Sequence, residues 1–398
     1  MNRRPLPTTP CAADHMPMPN RTPTELIEEI VLYACAYCVP QGPCQRSPQH
    51  EDCPKYPSTA FRCTKYPDVD HYSDLSTLWS LCLTSRQLND IATRHLYHRP
   101  FGAHDAETWW PLARTLISRP DIAAHVKELH LDEFKDLKGP ALLQEISDSI
   151  PSSLLVRNGR DGRTPPSASD EQRWTLLRLM GGEEASCMDL MINLCPNLET
   201  FEAAIDIFND VEWYYIPLFT FCQPQSMPAL RNLTIIPKKT RSGMSFAHIL
   251  DLLKAAPNLT TICSSNLASF DRLGFKLCHV TSLDLKSSAI DDYSLANIFR
   301  SFPNLETFTY QSGPEHGEIP FLLWQIEGTL QFAPKLKRLS LDLAEDEMLW
   351  YFEDIEGFTD ESWEDLEKAL SQRDIAFHYK RCKSRSLVEY ESSGPSCS

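Results

Sequence analysis

The sequence predicts an α/β protein in two parts, a small α-helical module followed by an irregular solenoid of strand–helix units. Three observations predict it. Residues 22–98 carry three short apolar stripes at helical spacing. From residue 126 onward the phrase apolar-x-x-apolar-x-apolar recurs seven times. Five of those copies are introduced by a proline two residues earlier.

Composition sets the bounds. The chain has 398 residues, 42% hydrophobic and 23% charged, the balance of an ordinary globular protein with room for more than one domain. A net charge of −16 argues against a nucleic-acid binder, whose surface must neutralise phosphates. No apolar run stands behind Arg3 and Arg4, and the uncharged stretch around 213–222 is too short to span a bilayer. A cytoplasmic or nuclear location with reduced thiols is therefore expected for the fourteen cysteines. The fourteen glycines are about half the usual ~7%, and the phosphate-loop, dinucleotide, zinc-protease and serine-hydrolase motifs are absent. No catalytic residue and no cofactor are expected.

The first helix opens at Thr22-Pro23-Thr24-Glu25. Thr22 is a capping residue, Pro23 suits the first helical position, and Glu25 completes a capping box. Leu26, Ile27, Ile30, Val31 and Ala34 form its stripe. A second helix follows from Asp74, with Leu75, Leu78, Trp79, Cys82 and Leu83 on one face and Leu81 beside them. Thr84 and Gln87 suggest a capping box for a third, whose stripe is Leu88, Ile91, Ala92, His95 and Leu96. Three helices this short present more apolar surface than they can bury mutually, so a partner or a neighbouring domain is implied.

Pro23-Thr24-Glu25-Leu26 and the run 78–88, LWSLCLTSRQL, resemble an F-box of the style common in fungal proteins. Two departures stand out: Thr22 replaces the family's leucine, and the connection after the first helix is much longer. The resemblance implies docking on a Skp-family adaptor through Pro23, Leu26, Ile30, Leu78, Leu81, Leu83 and Leu88, with Arg86 on the helix surface.

The long connection, 36–73, is rich in proline and cysteine. Cys35 and Cys38 have zinc-ligand spacing, but Cys44 and Cys53, eight residues apart between them, supply no second doublet. A plain surface insertion without metal is expected, with these four cysteines as the only candidates.

The repeated phrases begin at Val126, Leu198, Leu230, Leu259, Val280, Leu305 and Leu336, the copy at Leu259 being weak. Proline ends a helix, the chain turns, and the next six residues run as a strand whose alternate side chains point inward. Stacked units then share a core that no single unit can build. The phrase is similar to that of leucine-rich repeats, although the spacing varies from 21 to 32 residues across the last six copies and the usual asparagine after the strand is missing. The expected division is a tail over 1–21, the F-box-like helices over 22–98, a solenoid over 99–370 with a flexible loop at 151–173, and a C-terminal tail over 371–398. Between 342 and 368 twelve carboxylates face one lysine, a pattern expected on a solvated face.

An F-box followed by leucine-rich repeats implies, by resemblance, a non-catalytic substrate receptor of an SCF-type cullin–RING ubiquitin ligase. Its partners are then the adaptor, the cullin and a protein substrate, with no nucleic acid or membrane. The competing expectation is a repeat scaffold without ligase function, whose helices merely cap the solenoid. In the strand phrase the outward positions would hold the substrate: His130, Thr234, Asp284, Thr309, Arg338, Ser340 and Asp342, flanked by Glu128, Asp132, Asn232, Ser282 and Thr307.

Overall fold

In the computed structural model the described residues are 77–100, 106–131, 184–205, 222–237, 244–270, 273–288, 292–312, 323–344 and 360–382, together with Ile27, Glu28, Val31, Leu218, Phe219 and Ile290. Pro23, Leu26, Ile30, Cys35, Cys38, Cys44, Cys53, Asp132, the insertion 36–73 and the loop 151–173 lie outside them. The chain divides into two compact units, residues 1–96 and 97–398.

In the first unit, Ile27, Glu28 and Val31 are helical, followed by helix α1 (77–84) and helix α2 (Arg86–His98), whose last two residues fall in the second unit. Val31, Leu78, Ile91 and Ala92 form the buried core, with Ile27, Leu81, Cys82, Leu88 and Leu96 packed around it. The junction between α1 and α2 differs from the predicted capping box. Ser85 is the cap: its Oγ accepts the Leu88 amide at 3.2 Å. The Thr84 hydroxyl instead folds back to donate to the carbonyls of Ser80 at 2.9 Å and Leu81 at 3.0 Å, closing the end of α1.

The second unit is mixed α/β around one eight-stranded parallel sheet. It opens with α3 (Ala106–Ser118) and α4 (Pro120–Ala123), then β1 (Glu128–Leu131), α5 (Glu184–Leu194), β2 (Thr200–Ile205) and β3 (Asn232–Pro237). There follow β4 (Met244–Ser245), a 3₁₀ turn (Phe246–Ile249), α6 (Leu250–Ala255), β5 (Thr261–Ser265), β6 (Leu267–Ser269) and β7 (Ser282–Ser288). The chain continues through α7 (Asp292–Ser301), β8 (Thr307–Ser312), α8 (Leu323–Thr329), a 3₁₀ turn (Leu330–Phe332), β9 (Arg338–Ala344), α9 (Asp360–Gln372) and β10 (Ala376–Cys382). The sheet order is β1-β2-β3-β5-β7-β8-β9-β10, while β4 and β6 form a separate parallel pair. Helical segments return the chain between most successive strands, as a parallel sheet requires.

The repeated phrase explains this regularity atom by atom. Its first apolar residue ends a tight turn in which its amide bonds three residues back: Leu198 to Cys195, Leu230 to Met227, Leu259 to Ala256, Val280 to Leu277, Leu305 to Phe302 and Leu336 to Ala333. One carbonyl before each strand then accepts two amides from the next unit. Lys127 takes Glu199 and Thr200, Glu199 takes Arg231 and Asn232, and the pattern continues through Arg231, Thr260, Thr281 and Glu306. Asparagine reinforces the ladder where Pro-Asn-Leu occurs, because the side chains of Asn197, Asn258 and Asn304 donate to the carbonyls of Ala124, Pro228 and Cys278 in the preceding unit. The repeat therefore has its asparagine before the strand.

Register places like with like. Leu129, Phe201, Leu233, Ile262, Leu283, Phe308, Leu339 and Phe377 are successive neighbours across the sheet. All but Phe377 are buried, and helix residues such as Leu190, Leu253 and Phe299 cover them in a single core. Phe299 meets Phe308 edge to face at 5.4 Å, and Phe246, Phe270 and Phe302 form a second aromatic group.

The C-terminal boundary needs correction. The segment expected as a tail from 371 contains β10, paired with β9 over its whole length. The preceding acidic stretch is partly helical: α9 exposes Glu364, Asp365 and Glu367 while burying Leu366 and Leu370 in the array core. Among the described residues, no helix is long and apolar enough to cross a membrane.

Candidate functional site: the outward face of the sheet

Side chains alternate across a strand, so burying Leu129 and its equivalents turns the residues between them to the opposite face. The register aligns these as one row: His130, Glu202, Thr234, Cys263, Asp284, Thr309, Ser340 and His378. Glu128, Thr200, Asn232, Thr261, Ser282, Thr307, Arg338 and Ala376 form a second row beside it. Asp342 lies further along β9, opposite Gln311 of β8. Thus all seven predicted outward residues, His130, Thr234, Asp284, Thr309, Arg338, Ser340 and Asp342, share one face.

Three members of the middle row were not selected from sequence. Glu202 sits within a recognised phrase, and its position between Phe201 and Ala203 was sufficient signal. Cys263 follows the weak Leu259 copy, where Ser264 replaces the third apolar residue. His378 belongs to β10, whose phrase begins with Asp374 instead of an apolar residue.

The first strands carry a charged cluster. His130 Nδ1 stands 2.9 Å from Glu202 Oε2, while its Nε2 is 3.7 Å from Glu128 Oε2. Arg99 and His98 approach the same Glu128 carboxylate at 3.7 and 3.9 Å. Burial disfavours the imidazolium, but the two carboxylates outweigh that effect and leave the His130 pKa raised. Contact with His130 conversely outweighs burial to hold the Glu128 pKa below its ordinary value.

The central strands differ in chemistry. Cys263 is buried, and that burial, aided by the nearby Asp284 charge, pushes its thiol up to about 12. It is therefore a neutral thiol at physiological pH, unsuited to nucleophilic attack. Burial raises the Asp284 pKa as well, against the opposing charge of Lys286, whose Nζ lies 3.9 Å from Oδ2. At the far strands, Gln311 donates to Asp342 at 3.3 Å, while on the opposite, inward face of the last strand Phe377 stacks on the 40%-exposed Tyr379. Among the described residues no group of three His, Cys, Asp or Glu side chains is arranged to hold a metal ion.

No protein-family model matches the chain, and no curated protein sequence matches it.

The helical unit presents a second surface. Of the residues assigned there from sequence, Leu78 is buried, Leu81 and Leu88 are half-buried, and Leu83 is 74% exposed. Trp79, four residues before Leu83, is 58% exposed. The predicted single face of α1 is thus two faces. Leu78, Leu81 and Cys82 meet the small core, while Trp79 and Leu83, about a third of a turn round the helix, remain open. Arg86 is exposed at the start of α2.

Proposed function

We propose that the protein is the substrate-recognition subunit of an SCF-type cullin–RING ubiquitin ligase. Its F-box-like helices dock on a Skp-family adaptor that links it to the cullin, and its leucine-rich-repeat-like array holds a protein substrate on the outward sheet face. The observation that carries the proposal is the Trp79–Leu83 surface. It lies within the very run, 78–88, that resembles the F-box core, and it exposes two large apolar side chains one helical turn apart. Leu78, Leu81 and Leu88 support this surface from beneath, and the resemblance adds Pro23, Leu26 and Ile30 as contacts.

The array's contribution is a polar face spread across eight strands, of the kind that fits another protein better than a small apolar molecule. Neither unit performs chemistry in this reading. Holding a substrate lysine near the conjugating enzyme supplied by other subunits raises its effective concentration, and that proximity is the protein's catalytic contribution. Co-expression with a Skp-family adaptor tests the proposal. A stoichiometric complex that survives gel filtration is expected, whereas separate elution favours a repeat scaffold without ligase function.

A further inference from the structure

We infer that the middle of the sheet face seats an arginine side chain of the bound protein, with Asp284 as its carboxylate partner. This rests on the reading of the array as a substrate receptor and adds the chemistry the substrate must carry. Asp284 stands in the middle row between Cys263 of β5 and Thr309 of β8. Its Oδ1 is closed to solvent and has no hydrogen-bond partner. Its Oδ2 faces Lys286 at 3.9 Å, beyond hydrogen-bond length. One strand away, Ser265 pairs with Lys286 in the register and also has a closed-off, unpartnered hydroxyl oxygen. Two hydrogen-bonding oxygens on adjacent strands of the same face therefore lack partners.

The contrast with the other carboxylates is local and specific. Glu202 has His130 at 2.9 Å, Asp342 has the Gln311 amide, and Glu128 has Arg99 and two histidines within 4 Å. Asp284 alone in that described set has an oxygen both buried and unbonded, a costly arrangement that an incoming donor relieves. Its carboxylate turns about a soft terminal torsion, so either oxygen can meet that donor. The neighbouring row residues Thr234, Cys263, Thr309 and Ser340 have short side chains.

The donor's chemistry follows from the site. Asp284 and Ser265 are diagonal neighbours, two residues out of register on adjacent strands and so roughly 7–8 Å apart along the face, and one planar guanidinium with five N–H groups turns different donors toward the two oxygens. Guanidinium is also weakly hydrated, which suits a partly desolvated carboxylate better than the compact, strongly hydrated ammonium of lysine. Lys286 already offers an ammonium and leaves Oδ1 unbonded.

The test uses the purified full chain on a positional-scanning array of acetylated, amidated decapeptides. Arginine at one position is expected to strengthen binding about tenfold over alanine, the effect of one charge-assisted hydrogen bond. Asp284→Asn should abolish that selection while its thermal midpoint stays equal or rises, because a partly desolvated carboxylate with one unbonded oxygen and only a long ion pair to Lys286 has been neutralised. Lack of arginine selection in the wild type, equal selection of lysine, or arginine selection that survives Asp284→Asn each overturns the inference. Adaptor pull-down from the same preparations reads the ligase proposal separately. Loss of arginine selection with adaptor still bound removes only the Asp284 site, and arginine selection without adaptor binding removes only the ligase reading.

Discussion

The array and the helical unit bury apolar surface by the same rule but to very different extents. In the array the inward residues of the inner strands lie between equivalents on their neighbours, within the core that the helices complete, so Phe201, Phe308 and Leu341 are inaccessible to solvent. Among its described residues the helical unit has a core of four buried side chains and leaves Trp79 and Leu83 in solvent. A stack of units completes its own core, whereas a small group of helices exhausts its interior before it has covered its apolar residues. The first region therefore accounts for its own burial, and in the second Trp79 and Leu83 stay available for the docking proposed above.

The largest expected effects separate the two cores. Phe308→Ala removes a fully buried ring packed on Phe299 and should cost about 3–5 kcal/mol in urea denaturation of the array. Leu78→Asp places a carboxylate in the small core and should unfold the helical unit by hydrogen exchange while the array stays protected. Simultaneous loss of protection in both units would show that they do not have separate cores.

A smaller effect sharpens the account of the repeat. Asn258→Ala and Asn304→Ala each delete an amide that joins one unit to the carbonyl of the unit before it. Each should cost about 1 kcal/mol, against a negligible change for Asn232→Ala, whose amide meets the Thr200 hydroxyl at 3.2 Å. Equal effects at all three sites would deny the ladder its special role.

The charged cluster of β1 and β2 predicts a pH dependence with a definite sign. The folded His130 pKa is raised, so its stabilisation is complete below the ordinary histidine value of about 6.5 and is lost as pH rises through the folded value. The depressed Glu128 pKa works in the other direction, its contribution fading as pH falls through the folded carboxyl range. The thermal-midpoint gap between wild type and His130→Gln should thus be largest in mildly acidic solution and shrink toward alkaline pH. A gap that widens with rising pH contradicts the cluster's electrostatics. The smallest effect concerns the insertion: replacing 36–73 by a short Gly-Ser linker should leave adaptor affinity within a few-fold, since each halving of loop length is worth only about 0.6 kcal/mol.

The array was legible because its phrase couples spacing to burial. Leu198, Phe201 and Ala203 recur as Leu305, Phe308 and Tyr310, and both sets are buried in register. The last strand was hidden because Asp374, at a left-handed φ of 58°, turns the chain where other units have an apolar residue. Ile375 takes over the inward role and its amide bonds the Leu370 carbonyl, a local substitution that the repeated phrase does not encode. On the outward face, sequence gave the alternation but not the company each residue keeps. Asp284 and Asp342 look alike as letters, yet one has an unbonded buried oxygen and the other accepts from Gln311. In the helical unit, Leu78 and Leu83 look like members of one stripe, and only the position of the small core separates the supporting residue from the exposed one.

That separation defines the decisive experiment. Trp79→Asp with Leu83→Asp charges the open surface while sparing the core, unlike any change at Leu78. Binding of the wild type and this double variant to a purified Skp-family adaptor should be measured by titration calorimetry, with helix content and the unfolding midpoint followed in parallel. The account predicts tight binding by the wild type and a loss of at least about a hundredfold in the variant, two desolvated charges having entered the interface, with folding unchanged. Equal binding by a folded double variant, or none by the wild type, would contradict it.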